Sequence, residues 1–562
     1  MRRHDHRHLR IWLPIAMALA AFVPVSTNGP RFFSDDPITK VPEAQDASGA
    51  KPVDIGLLYE ISYNLFVTAK YKPTNTRALN INTIDEVPDS SWFTNRIGAI
   101  ELTPERIEKG PAVGAPPSPE RWVVIREKSG GMKPGFTARD ANGETWFLEF
   151  DDSPANPEGP TGATIVASKL FWALGYNEVE TFLTTLDPAK VVIDPKATKR
   201  RPNGKRTPFT EKDLHEVLDV VKRSPDGTFR VTAGRLIPGK ILGGFRYAGT
   251  RPDDPNDIVP HEHRRELRAL RVFGAWTNLT DLKAGNTLDT LVTENGHAIV
   301  KHVLQDVGST FGMANGEHEW DIGWEHFYEG GPTLKRLFSF GFALSPWQTV
   351  HYQEYPSINR FEGDRFDPRE WRPQTPTTAY MELRADDAFW AARRVVAFTD
   401  DQIRAAVHAG KYSDAAAAQH LAAVIGKRRD KIGQIYLTAI NPIVNPRLDT
   451  GGTLTFENAA ASYADAPTGY RAVWSRFDNA TGSTSPIAET KSATTTMAGP
   501  RDLPTGPESF VEIDISADSA GHPTWQEPIH TYFRRTADGW KLVGLERLPD
   551  KPATAQTQTA KD

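Results

Sequence analysis

Apolar positions along this chain fall into two periods, and the switches between them mark out elements. From residue 122 the pattern is that of short strands: Trp122-Val123-Val124-Ile125, then a connection Ser129-Gly130-Gly131-Met132-Lys133-Pro134-Gly135-Phe136. The turn Asp140-Ala141-Asn142-Gly143 follows, and after it the apolar run Thr145-Trp146-Phe147-Leu148-Glu149-Phe150. Helical spacing takes over at 161–174, where Ile165, Val166, Leu170, Phe171 and Leu174 lie near one face and Gly175 supplies a stop. Strand pattern returns at 179–193, residues 195–210 read as loop, and 210–221 predict a short helix opened by Thr210 as N-cap. Residues 120–195 thus predict a small sheet carrying one helix.

The next helix is predicted over 262–276, with Leu267, Leu270, Val272, Phe273 and Trp276 alternating with Arg264, Arg265, Arg268 and Arg271. Its lead-in His261-Glu262-His263 lacks the i, i+4 histidine pair of a helical zinc site and reads as capping and surface chemistry. Residues 288–292 and 298–303 pair as a hairpin across Glu294-Asn295-Gly296. Residues 313–380 are loop-rich and aromatic, and 386–398, 400–408 and 413–431 are amphipathic helices. The segment Asn441-Pro442-Ile443-Val444-Asn445-Pro446 marks a composition shift, after which short alternating strands predict a β-sandwich-like module. Its Thr/Ser/Pro-rich insert, 481–506, and the tail after Pro549 are expected to be mobile.

Composition changes this picture only at the edges. With 562 residues, 39% hydrophobic and 24% charged, the chain has room for two to four domains and is neither mainly disordered nor membrane-embedded. A net charge of −5 gives no ground for a nucleic-acid partner. At the amino terminus, Arg2, Arg3, Arg7 and Arg10 precede the apolar run 11–23, the layout of an export signal. That run falls short of the roughly 20 residues a spanning helix needs, with an uncleaved anchor as the alternative. Cysteine is absent, which excludes disulfides, thiolate metal sites and Cys nucleophiles. The expected destination is the periplasm or the extracellular space. Between 30 and 119, Pro-rich connectors and short amphipathic pieces show no chemistry beyond packing.

The candidate chemistry lies in Asp281-Leu282-Lys283-Ala284-Gly285-Asn286 and, beyond the predicted hairpin, Gln305-Asp306-Val307-Gly308. An Asp, a Lys two positions on and an Asn five positions on, then a β-type segment ending in Asp-x-Gly, is the residue order that phosphoryl transfer uses in kinases. Residue by residue, 281–286 resembles the catalytic loop of serine/threonine kinases, and Asp306-Val307-Gly308 resembles their metal-binding Asp-Phe-Gly. The resemblance spans about 120–435 and is closest to atypical, exported bacterial members, since Trp276-Thr277-Asn278 replaces the usual His-Arg lead-in.

What that resemblance implies is an α+β, two-lobed, protein-kinase-like fold with a carboxy-terminal all-β module. The implied segments are an export signal or anchor (1–29), an extension (30–119), a small β-rich lobe (120–195), a larger helical lobe (196–440), a β domain (441–548) and a disordered tail (549–562). It implies catalytic roles for Asp281 and Lys283, and metal ligation of Mg²⁺ or Mn²⁺ by Asn286 and Asp306. It also implies a nucleotide cradle at Gly130, Gly131, Lys133 and Gly135, with ATP as cofactor and an unknown hydroxyl compound as acceptor. Taken alone, that glycine loop is a weak signal, and such a pattern is more often just a turn. The β module is where a protein or cell-envelope partner would bind.

The sequence departs from kinases where they place a Lys on the third strand and a Glu on the following helix. Those positions are Glu149 and Thr164, and a carboxylate at Glu149 repels a triphosphate unless a cation intervenes. Lys133 or Lys128 could supply that cation. Alternatively Glu149 pairs with Lys169 and the chain is a pseudokinase, a binding or scaffold protein of the envelope.

Overall fold

The computed structural model describes residues 29–549 apart from 129–132, 152–155, 202–203, 314–321, 340–341 and 343. The amino-terminal signal, Gly130, Gly131 and the tail beyond 549 lie outside the described residues. The fold is mixed α+β, built from several sheets with helices between them. Among the described residues no helix is long and apolar enough to cross a membrane.

The extension carries helices α1 (Leu57–Phe66) and α2 (Pro104–Lys109). Strands β1 (Trp122–Glu127), β2 (Gly135–Arg139) and β3 (Thr145–Phe150) lead into α3 (Gly159–Leu174). Next come β4 (Thr181–Leu186), β5 (Val191–Arg200), β6 (Arg206–Pro208), α4 (Glu211–Leu218) and β7 (Phe229–Arg235). These strands form one seven-stranded sheet in the order β4-β7-β3-β2-β1-β5-β6, larger than predicted. Within 195–210, read as loop, the residues up to Arg200 belong to β5, which runs parallel to β1, and Arg206–Pro208 form β6, which pairs antiparallel with β5. Period-2 alternation puts Trp122, Val124, Phe136, Ala138, Trp146, Leu148 and Phe150 on one face, where they pack with Leu214 and Leu218 of α4. The other face carries Phe147 and Glu149. Helix α3 is apolar on nearly every side and is buried along its length, which suits an element held between the sheet and the helical body.

The helical body begins with β8 (Lys240–Gly243), α5 (Arg265–Thr277) and the hairpin β9 (Thr287–Glu294) and β10 (His297–Leu304). It continues with α6 (Gly330–Phe338), α7 (Thr378–Met381), α8 (Ala385–Val396), α9 (Asp400–His408) and α10 (Ala415–Ile432). Helix α5 starts later than its apolar spacing suggests. His261–His263 is a separate 3₁₀ turn in which His261, buried, contacts Asp257 through Nε2 at 2.7 Å. Two of the arginines of α5 are fully buried. Asp387, at the start of α8, accepts from Arg265 Nε and Arg268 Nη1, both at 3.0 Å, and Asp85 of the extension takes Arg265 Nη2 at 3.0 Å.

The carboxy-terminal region holds β11 (Ile443–Leu448), β12 (Thr453–Asn458), β13 (Gly469–Phe477), β14 (Thr484–Ser492), β15 (Thr496–Ala498), β16 (Phe510–Asp518), β17 (Ile529–Thr536) and β18 (Gly539–Glu546). They form a three-stranded sheet, β11-β12-β15, and a five-stranded sheet, β14-β13-β16-β17-β18. The insert 481–506 supplies β14 and β15, correcting the expectation of mobility. Its threonines suit an edge strand, and Thr490 accepts from the buried Trp474 Nε1 at 2.8 Å. Phe32 of the extension packs among Phe477, Phe510 and Tyr532, fastening this region to the rest.

Removing one partner of a buried ion pair strands the other charge, at about 3–5 kcal/mol. Asp387→Ala is therefore expected to cost about that much in urea unfolding. Glu120→Ala, which breaks the exposed Lys190–Glu120 pair, should fall within about 1 kcal/mol of wild type.

Candidate functional site

Helix α5 ends at Asn278, whose left-handed backbone (φ 59°, ψ 39°) turns the chain out of the helix, and Asn278 Oδ1 accepts from the buried Trp371 Nε1 at 2.9 Å. The polar loop follows at once. Lys283 Nζ contacts Asp281 Oδ2 at 2.6 Å, and Asn286 Nδ2 donates to the Asp281 carbonyl at 2.9 Å. The β9/β10 hairpin, in register from Thr287↔Leu304 to Glu294↔His297, returns the chain to its starting point. There the Asn286 carbonyl accepts from Gln305 N at 3.0 Å and Asp306 N at 3.1 Å, and Asp306 Oδ1 accepts from Gly308 N at 3.0 Å. Asp281, Lys283 and Asn286 of the loop and Asp306 beyond the hairpin are thus joined by bonded backbone.

From the sheet side, β3 presents Glu149 opposite Gly135 of β2 and Thr232 of β7. Its carboxylate pairs with Lys128 Nζ at 2.7 Å, not with Lys169. Lys169 sits in helix α3, where burial lowers its ammonium to about 8 against the opposing pull of Glu178. Gly135 is fixed by packing, since a side chain there would strike the Leu148 carbonyl. Lys133 reaches the other half of the site. A methyl placed on Gly308 would lie 2.6 Å from Lys133 Nζ, 2.5 Å from Thr164 Oγ1 and 3.3 Å from Asp306 Oδ1. Thr164, at the position of the kinase helix glutamate, therefore faces the Asp-x-Gly segment. Burial pushes the Asp306 carboxyl up, but Lys133, the Gly308 amide, Lys128 and Lys283 together bring it below the ordinary carboxylate range.

Two acidic residues join the site without a signal in the sequence. Glu60 of α1 accepts a hydrogen bond from Ala284 N, inside the polar loop, so the extension contributes more than packing. Burial raises its carboxyl above the usual range despite the Ala284 and Gly285 amides and Lys283. Glu178, before β4, is raised well above its ordinary range by burial and then by the charge of Asp306. Its Oε1 is buried without a hydrogen-bond partner, and the residue lines a cavity of about 370 Å³ with Arg96, Trp172, Pro238, Thr290 and Lys301. Neither Glu lies in a motif, and each meets the loop only through chain folding.

The donor set suits a hard divalent cation. With Nδ2 engaged by Asp281, Asn286 keeps Oδ1 as an acceptor beside the ionised Asp306 carboxylate, and oxygen donors of this kind fit Mg²⁺ or Mn²⁺.

No protein-family model matches the sequence, and no curated protein is similar to it. Among solved structures, a crystal structure of the Golgi casein kinase with Mn/ADP bound aligns with 56% of this chain and 72% of its own, at 9% identity and a TM-score of 0.29. A second crystal structure of the Golgi casein kinase aligns with 71% of this chain and 94% of its own, at 11% identity and a TM-score of 0.30. At these scores neither alignment carries weight, and the site speaks through its own side chains.

Asn278→Ala keeps a β-carbon in the left-handed region without the short polar side chain that lets Asn adopt it, and leaves Trp371 Nε1 without its acceptor, at about 1–3 kcal/mol. Denaturant unfolding should show a loss of about 1–3 kcal/mol. Asn278→Gly, which restores the backbone but not the acceptor, should lose less.

Proposed function

We propose that this chain is a kinase-type phosphotransferase that moves the γ-phosphoryl group of ATP to a hydroxyl acceptor. The observation that carries the reading is that the Asn286 carbonyl ties Asp306 to the 281–286 loop, in which Lys283 contacts Asp281 and Asn286 Nδ2 bonds the Asp281 carbonyl, with Lys133 brought to Asp306 from the sheet side. The strand order β4-β7-β3-β2-β1, with α3 between sheet and helical body, supports a two-lobed arrangement around a cleft.

In this reading the Asp281 carboxylate takes the proton of the acceptor hydroxyl as its oxygen bonds to the γ-phosphorus, while the bond to the bridging oxygen breaks and ADP leaves. Lys283 holds Asp281 in place and offsets charge on the transferred group. Asn286 Oδ1 and Asp306 hold Mg²⁺ or Mn²⁺, which when bound neutralises the phosphates. Lys133 takes over the cationic role that kinases assign to a third-strand lysine, and Lys128 cancels the charge of Glu149. The export signal read in the sequence places the activity in the periplasm or outside the cell, and the β module is the surface offered to an envelope partner.

Labelled ATP with each divalent metal tests the proposal. Purified protein should transfer label to water or an acceptor, and ligand at a hundredfold excess over Kd should stabilise the fold by about 2.7 kcal/mol. Asp281→Ala should lower kcat by about 10²–10⁴-fold with nucleotide still bound. Asp306→Ala should abolish the metal-dependent thermal shift, and Lys133→Met should weaken nucleotide binding more than Lys128→Met. No thermal shift with any metal sinks the reading, whereas binding without turnover establishes the pseudokinase alternative.

A further inference from the structure

The amino-terminal extension crosses the polar loop on α1. Val53 N donates to the Leu242 carbonyl at 2.8 Å on one side of that helix, and Thr74 N donates to Glu382 Oε1 at 2.9 Å on the other. Between these anchors, Leu58 is 82% and Tyr59 66% exposed, so apolar burial does little to hold α1 down. What α1 does turn inward is Glu60. Its Oε1 accepts from Ala284 N, and among the described residues Oε2 is buried without a hydrogen-bond partner. Leu57 Cδ1 lies 3.7 Å from where a side chain on Gly285 would begin. Ala284 sits between Lys283 and Asn286, so an acceptor on its N–H fixes the stretch that spaces Asp281 from Asn286.

We propose that Glu60 is a positioning residue: delivered by the extension, its carboxylate holds the 281–286 backbone in working shape, so the site is complete only with α1 docked. This rests on the phosphotransfer reading. A hydrogen-bonded carboxylate suits the task because the N–H of the fully buried Ala284 needs an acceptor in a place water reaches poorly. Glu60 does not touch the reacting atoms. Its effect passes through geometry, where small displacements of a catalytic group cost large factors in rate.

The test uses the full chain and four variants: Glu60→Ala, Glu60→Gln, Leu58→Ala and, as reference, Asp281→Ala. Glu60→Ala should lower kcat by about tenfold or more while the Kd for Mn²⁺–ADP stays within about twofold. It should also speed hydrogen exchange at the Ala284 amide by about tenfold or more. Glu60→Gln, whose amide oxygen still accepts, should recover most of both, and Leu58→Ala should change neither. Wild-type exchange at Ala284 in folded Glu60→Ala overturns the proposal, as does unchanged kcat in an assay that Asp281→Ala silences. If Glu60→Ala does not fold, the same measurements on Glu60→Asp, one methylene too short, decide. If the wild type transfers no phosphate, the phosphotransfer reading fails while the exchange data still judge the Glu60 contact.

Discussion

One main-chain carbonyl holds this site together. The oxygen of Asn286 accepts from both Gln305 N and Asp306 N, closing the hairpin on the polar loop. Everything upstream serves that closure. The left-handed Asn278 aims the chain out of α5, the Asn286 side chain ties back to the Asp281 carbonyl, and the β9/β10 register sets how far the chain travels before it returns. A slip of one residue in that register would carry the Asp306 amide away from the Asn286 carbonyl and disperse the cluster.

The electrostatics follow from where the carboxylates stand. Asp306, Asp281, Glu60 and Glu178 crowd one region, and burial pushes the carboxyls of Asp306, Glu60 and Glu178 toward the neutral form, a push overcome at Asp306 but not at Glu60 or Glu178. Lys133, Lys128 and Lys283 are the nearby cations, and each has a distinct partner: Asp306, Glu149 and Asp281. The absence of a third-strand lysine therefore does not leave the sheet side negative. Glu149 and Lys128 cancel locally, and Lys133, two residues before β2, brings positive charge to the Asp-x-Gly segment.

The frame around the site is set by buried charge as much as by apolar packing. Arg265 and Arg268 on α5 are fully buried and meet Asp387 on α8, while Asp85 of the extension closes the network. Such pairs contribute little net stability relative to apolar residues of the same shape, but they tolerate little error in how helices are placed. The extension participates throughout: Asp85 joins the ion cluster, Phe32 packs into the five-stranded sheet, and Glu60 reaches the polar loop.

The sequence by itself determined whatever depends on near neighbours. Helix α9 matches its amphipathic spacing, the hairpin follows from Glu294-Asn295-Gly296, and Asp281, Asn286 and Asp306 were legible because a loop and one hairpin bring them together. Local pattern misled at the end of β5 and at β6, which looked like loop, and at β14 and β15, which looked mobile. Their polar, Thr- and Lys-rich sequences lack apolar alternation, and the partners that hold them, β1 for β5, β5 for β6, β13 for β14 and β12 for β15, are set by the sheet. Only the tertiary structure decided that Lys128 rather than Lys169 neutralises Glu149, that Lys133 stands beside Asp306, and that Glu60 accepts from Ala284 N. Residue type and spacing report backbone periodicity, whereas the partner of a charge is chosen by which surfaces the whole chain buries against each other.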